Sequence, residues 1–214
     1  EDIILTNTAP APVADAGADQ TLCNTTTFTL AGNAAAPGSG MWVIQSGPGV
    51  VTTPGSASST VTGVTAGAAP TVVRWTISNG VCGSTFDEVT LINLQPSETA
   101  DGGTDITQCN TSTFVMNAVV PTIGVGTWSL QSGTATITNT ASATTTVTGI
   151  AAGTSATVRW TVSNGGCLPT FEDIILTNTA PAPVADAGAD QTLCNTATFT
   201  LAGNAAAPGS GMWV

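Results

Sequence analysis

The chain has 214 residues, of which 13 are acidic, 2 are basic (Arg74 and Arg159) and none is Lys, His or Tyr, giving a net charge of −11. That balance repels nucleic acid and anionic membrane surfaces, which argues against both as partners. With 7% charged residues and apolar positions spaced as strands, the composition also argues against charge-rich disorder, and no apolar run approaches the ~18 residues of a spanning helix.

Residues 1–11 match the ends of later segments ("FDEVTLINL", "FEDIILTN") and read as the last strand of a preceding repeat with its linker. A full repeat follows at 12–95, a second at 96–180, and the N-terminal part of a third at 181–214. The marker is "ADAGADQTLCN" at Ala14, loosened to "ADGGTDITQCN" at Ala100 and restored verbatim at Ala185, steps of 86 and 85 residues. Over it lies a period of 171: residues 1–43 recur at 172–214 with one change, Thr26 to Ala197. A fixed period of this kind identifies a tandem array before any local reading. Both ends cut into a repeat, so the expectation is a window on a longer protein, with any secretion or anchoring signal outside it; Glu1 does not open a signal peptide.

Within the first full repeat the strand candidates are, in order, "DQTLC", "TFTLAG", "MWVIQS", "GVVTT", "STVTG", "TVVRWTIS" and "DEVTLINL". Period two places Phe28 with Leu30, Trp42 with Ile44, and Val73, Trp75 and Ile77 on common faces; the second repeat matches with Phe114 and Met116, Trp128 and Leu130, and Val158, Trp160 and Val162. Alternation of this kind, with turn residues about every ten positions and no helical stripe, predicts an all-β fold of tandem immunoglobulin-like, seven-stranded sandwiches. Trp42, Trp75, Trp128 and Trp160 are expected as core residues from facing sheets. Arg74 and Arg159 fall on the outer face, with Asp87 and Glu172 as candidate partners. Strand parity does not close across the "SNG" turn, which predicts a bulge there and leaves that pair open.

Each full repeat carries one cysteine after its first strand (Cys23, Cys109) and one past the "SNG" turn (Cys82, Cys167), while Cys194 is the first of a further pair. Two per repeat reads as a disulfide framework in an oxidising, extracellular setting, and the absence of His and of C-x-x-C spacing makes zinc a poor fit. Two connectivities stand, with free thiols as a third alternative. Pairing within a repeat, Cys23 to Cys82 and Cys109 to Cys167, spans 59 and 58 residues and contributes about 4 kcal/mol on the chain-entropy account. In an up-and-down sandwich, however, those two turns lie at opposite ends, more than ~20 Å apart. Head-to-tail repeats would instead bring Cys23 to Cys167. With no Lys, isopeptide cross-links are excluded.

The acidic residues gather at repeat starts and last strands. Asp15, Asp19, Asp87, Glu88, Asp101 and Asp105 are candidate ligands for Ca²⁺, which favours six to eight oxygens; the competing reading is solubility and protection of sheet edges. No other cofactor is expected. Linkers carry Pro10 and Pro12, then Pro96, then Pro181 and Pro183, a pattern favouring extended geometry and a semi-rigid, extended rod. The N-x-[ST] acceptors at Asn24 and Asn110 become "NTA" at Asn195, so glycosylation there is read as chance.

"ADAGADQTLCN", "GMWVIQSGPG", "TVTGVTAG" and "VVRWTISNGVC" together resemble the immunoglobulin-like, PKD-related repeats of giant surface adhesins in Bacteroidota, such as those of gliding motility. The resemblance covers essentially all of the chain and implies type IX secretion, display at the cell surface, and adhesion or support of an adhesive tip. Implied partners are neighbouring repeats, other filament copies, and the outer-membrane motility or secretion machinery through regions outside these residues. Membrane insertion is not implied. Common PKD repeats lack counterparts of Cys23 and Cys82. The leading expectation is therefore a structural segment of an adhesin filament; a carbohydrate-binding or spacer module of a secreted multidomain protein is the alternative. Without His, Lys or Tyr, and with no catalytic motif, an enzyme is not expected.

Overall fold

A computed structural model describes residues 2–4 and 7–214. Glu1, Leu5 and Thr6, within the stretch read as a preceding repeat's last strand, lie outside the described residues; Asp2 to Ile4 and Asn7 to Ala11 carry no strand.

The first repeat forms seven strands: β1 (Gln20–Cys23), β2 (Thr27–Thr29), β3 (Ser39–Ser46), β4 (Val50–Val51), β5 (Thr60–Thr62), β6 (Thr71–Ser78) and β7 (Ser84–Leu94). They make two sheets, ordered β1-β7-β6-β3 and β2-β5-β4. The second repeat repeats the plan with β8 (Ile106–Cys109), β9 (Thr113–Asn117), β10 (Val125–Ser132), β11 (Thr136–Ile137), β12 (Thr144–Thr148), β13 (Thr154–Ser163) and β14 (Thr170–Thr179), in sheets β10-β13-β14-β8 and β11-β12-β9. In both, the first strand runs parallel to the last, whereas β2–β5, β4–β5, β3–β6, β6–β7, β9–β12 and β11–β12 pair antiparallel.

The alternation in sequence is the alternation in burial. Along β6, Thr71, Val73, Trp75 and Ile77 point inward, against Val89 and Leu91 of β7 and Phe28, Leu30 and Val61 from the opposite sheet. Trp42, Trp75, Trp128 and Trp160 are buried as expected, at 2% exposure or less, but they do not come from facing sheets. Trp42 of β3 is registered directly opposite Trp75 of β6, with ring centroids 4.9 Å apart, and Trp128 and Trp160 repeat the contact at 5.0 Å. Two indoles side by side on one sheet leave room for nothing else: a Cβ at Gly40 or Gly126 would overlap the indole of Trp75 or Trp160. Leu130, expected beside Trp128, is 39% exposed.

In the first repeat the register runs without a bulge at the "SNG" turn. Ser78 pairs with Ser84 across a turn closed by Gly80–Cys82, and the register from there sets Arg74 opposite Glu88, not Asp87. The irregularity lies instead between Ile44 and Ser46 of β3.

The chain divides into two compact units, one comprising Glu1–Glu98, Pro121–Val125 and Val162–Thr170, the other Thr99–Val120, Gly126–Thr161 and Phe171–Val214. Residues 181–214, the partial third repeat, contain no strand. They nevertheless reproduce local hydrogen bonds of the first repeat. Asn204 accepts from the Asp186 amide and donates to the Val184 carbonyl, as Asn33 does with Asp15 and Val13, and Gln191 reaches Thr200 as Gln20 reaches Thr29.

Candidate functional site

The repeated "ADAGADQ" stretch enters each sandwich before a regular ladder begins, and its backbone amides need other acceptors. Side chains of the last strand supply them. The Asp87 carboxylate accepts from the Ala16 amide at 2.8 Å and the Thr85 hydroxyl from the Ala14 amide at 2.9 Å. Reciprocally, Asp19 accepts from the Thr90 amide at 2.7 Å. Asp15 closes its own turn by accepting from Gly17, whose φ of 81° suits glycine. In the second repeat Glu172 accepts from Gly102, Asp105 from Ile175, and Asp101 from Gly103.

These bonds give the carboxylates named as candidate calcium ligands a structural role. Asp15, Asp19, Asp87, Asp101 and Asp105 are each engaged with backbone amides, and Glu88 with Arg74. Among the described residues, no group of three or more His, Cys, Asp or Glu is placed to hold a metal ion. The acids gather at repeat starts because the entering segment has donors there.

The arginines cover the outer face. Arg74 bonds Glu88 at 2.7 Å and Arg159 bonds Asp173 through both Nε and Nη2, each one residue beyond the partner expected from sequence; for Arg74 the register across the turn sets this. Each guanidinium also lies over an exposed phenylalanine, Phe86 at 4.1 Å and Phe171 at 3.7 Å. Arg159 holds the Asp173 carboxyl below its usual range, chiefly by hydrogen bonding. Hydrogen bonds from Thr122 do the same for Glu98.

Sequence reading missed two asparagines. Asn93 and Asn178 occupy inward positions of the last strands at 5% and 2% exposure. Asn93 accepts from the Thr25 amide and donates to the carbonyls of Thr25 and Val64. Asn178 does so with Thr111 and Ile150. A polar residue where period two calls for an apolar one, as in "VTLINL", was the available signal.

The cysteines resolve the open connectivity. Cys23 is bonded to Cys167, with Cα atoms 5.1 Å apart, within the normal span; Cys82, Cys109 and Cys194 are free. Pairing of Cys23 with Cys82 is not made because β1 lies parallel to β7 with Cys23 opposite Leu94, at the far end of the strand from the turn holding Cys82. About ten residue steps of ~3.3 Å separate those ends by about 33 Å. Cys167, which the sequence assigns to the following repeat, belongs to the same compact unit as Cys23. The bond is prepared by neighbours: Asn24, at φ 46°, donates its amide to the Leu94 carbonyl, and Asn164 in the Cys167 turn donates to the carbonyl of Gln95, the next residue.

No protein-family model matches the chain, and neither does any curated protein. Among solved structures, an I-band fragment of titin spanning three immunoglobulin domains has a TM-score of 0.50 at 14% identity, over 82% of this chain and 68% of that one. Immunoglobulin domains 1–5 of Sidekick-1 give 0.56 at 15% identity, over 84% of this chain and 41% of that one. At such identities the likeness concerns fold alone, and with the strand order above it makes this chain a tandem array of immunoglobulin-like β-sandwiches.

Proposed function

We infer that the chain is a structural repeat segment of an extracellular surface adhesin filament, bearing load and setting reach rather than carrying out chemistry. The observation that carries this reading is the Cys23–Cys167 bond, a covalent staple between segments that the sequence places in successive repeats. Such a bond suits an oxidising, extracellular compartment. Proline-bearing linkers, carboxylates engaged in structural bonds and the absence of any catalytic grouping in the sequence favour a passive mechanical part. The family resemblance extends the proposal to gliding or surface attachment and to type IX export. A carbohydrate-binding role would call for an exposed aromatic platform, whereas Trp42, Trp75, Trp128 and Trp160 are buried and the exposed Phe86 and Phe171 each lie under an arginine guanidinium.

The test is localisation. An antibody raised to the folded, oxidised chain is applied to live source cells and followed by light and electron microscopy. Label on long surface fibres is expected; label confined to a soluble secreted product would overturn the filament reading.

A further inference from the structure

The Cys23–Cys167 junction is assembled from two halves, and each half recurs elsewhere in the chain without its complement. One half is the first-strand cysteine laid against the end of the last strand: Cys23 opposite Leu94, with Asn24 at φ 46° donating to the Leu94 carbonyl at 2.9 Å. The other is the turn cysteine beside a gripped linker: the Cys167 amide bonds the Asn164 carbonyl at 3.0 Å, and the Asn164 side chain donates to Gln95 at 2.9 Å.

Cys109 presents the first half. It stands opposite Thr179 in the same parallel register, and Asn110, at φ 48°, donates to the Thr179 carbonyl at 2.9 Å. Cys82 presents the second. Its amide bonds the Asn79 carbonyl at 3.0 Å, the Asn79 side chain donates to the Ala9 carbonyl at 2.6 Å, and its thiol lies 3.2 Å from the Thr8 carbonyl. By the repeat, Thr8 and Ala9 are the counterparts of Leu94 and Gln95. The linker is therefore already seated at Cys82, and the element missing is the first strand that would lie beside Thr8. At Cys109 that strand is present, and the element missing is the gripping turn.

We propose that Cys82 and Cys109 are complementary halves of a recurring junction bond: Cys109 pairs with the turn cysteine of a following repeat, and Cys82 with the first-strand cysteine of a preceding one. The partner is another repeat of this type, and Cys194 takes the same role as Cys23 and Cys109. In forming the bond two thiols give up two protons and two electrons, and a small-molecule disulfide such as oxidised glutathione accepts them, leaving as two thiols. The proposal rests on the tandem-repeat reading, not on the adhesive one.

The chain is extended at Val214 by a copy of residues 44–180, which completes a third repeat and adds a fourth. It is folded in a glutathione buffer, alkylated, and digested with pepsin at low pH, where disulfides do not exchange, and the bonded peptides are identified by mass spectrometry. Expected are Cys23–Cys167, Cys109 bonded to the copy of Cys82, and Cys194 bonded to the copy of Cys167, with Cys82 and the copy of Cys109 alkylated. In a Cys109→Ser variant the copy of Cys82 becomes alkylated while the other two bonds persist. In the unextended chain Cys82, Cys109 and Cys194 are all alkylated. A free Cys109 in the extended chain, or bonding of Cys109 to Cys82 or Cys167, would overturn the proposal and leave the localisation test unaffected.

Discussion

One position separates the two tryptophan pairs. Asn33 accepts from the Asp15 amide and from the Trp75 indole at 3.2 Å, and donates to the Val13 carbonyl. Its counterpart in the second repeat is Val119, whose amide bonds the Asp101 carbonyl as that of Asn33 bonds Asp15. Without that side chain the buried indole N–H of Trp160 has no partner among the described residues. An unsatisfied buried donor costs about 1–3 kcal/mol, and a restored bond returns about 1. Val119→Asn is therefore expected to stabilise the second repeat by about 1 kcal/mol, and Asn33→Val to destabilise the first by more, since it removes several bonds; urea unfolding followed by tryptophan fluorescence reads both. Charge acts at the same scale. Asp173 and Glu98 are held below ordinary carboxylate values, so their contributions are complete at neutral pH. They begin to fall as pH enters the usual carboxylate range of about 4 and are lost below the depressed folded values. An acid titration of the urea midpoint should show a shallower decline in Asp173→Asn than in the parent chain; equal slopes would show that Arg159 does not act on stability through this carboxyl.

Strands here depend on their neighbours more than on their own residues. Residues 14–43 and 185–214 are identical except at Thr26 and Ala197, yet the first copy contains β1, β2 and β3 and the second contains no strand. What persists in the second copy is what the segment supplies to itself: the Asp186–Gly188 turn, the Asn204 bonds and the Gln191–Thr200 contact. What is missing is what a partner strand supplies, such as the Asp87 and Asn93 bonds of the first copy. Period two thus made the seven strands and the inward residues legible, because alternation is a property of the segment. It could not reveal that both tryptophans share a sheet, that Arg74 faces Glu88, or that the acids serve amides, because pairing register decides those. The carboxylate clamp gives a test at this scale. Asp87→Ala removes the acceptor for Ala16 and should cost about 1–3 kcal/mol. It should also speed amide hydrogen exchange across Ala16 and β1 while leaving β5 unchanged; unaltered exchange at Ala16 would show that the carboxylate is not holding the segment.

For the whole chain the decisive quantity is the sequence separation of 144 residues closed by Cys23–Cys167. A cross-link over a loop that long restricts the unfolded ensemble by about 5 kcal/mol on the chain-entropy account, but its mechanical effect is larger in kind. Tension applied at the ends passes from Cys23 to Cys167 through the sulfur atoms, so the residues between them can lose their packing without lengthening the path. Only the segments outside the bond can be drawn out. At ~3.5 Å per extended residue, the shielded stretch amounts to about 500 Å of contour. Single-molecule pulling on the chain, with handles at its two ends, should therefore give a total extension about 500 Å longer in reductant than in its absence. Equal extensions would mean that the bond does not carry the load. The staple thus limits the length that the segment releases under force, which is a mechanical property that suits a load-bearing filament.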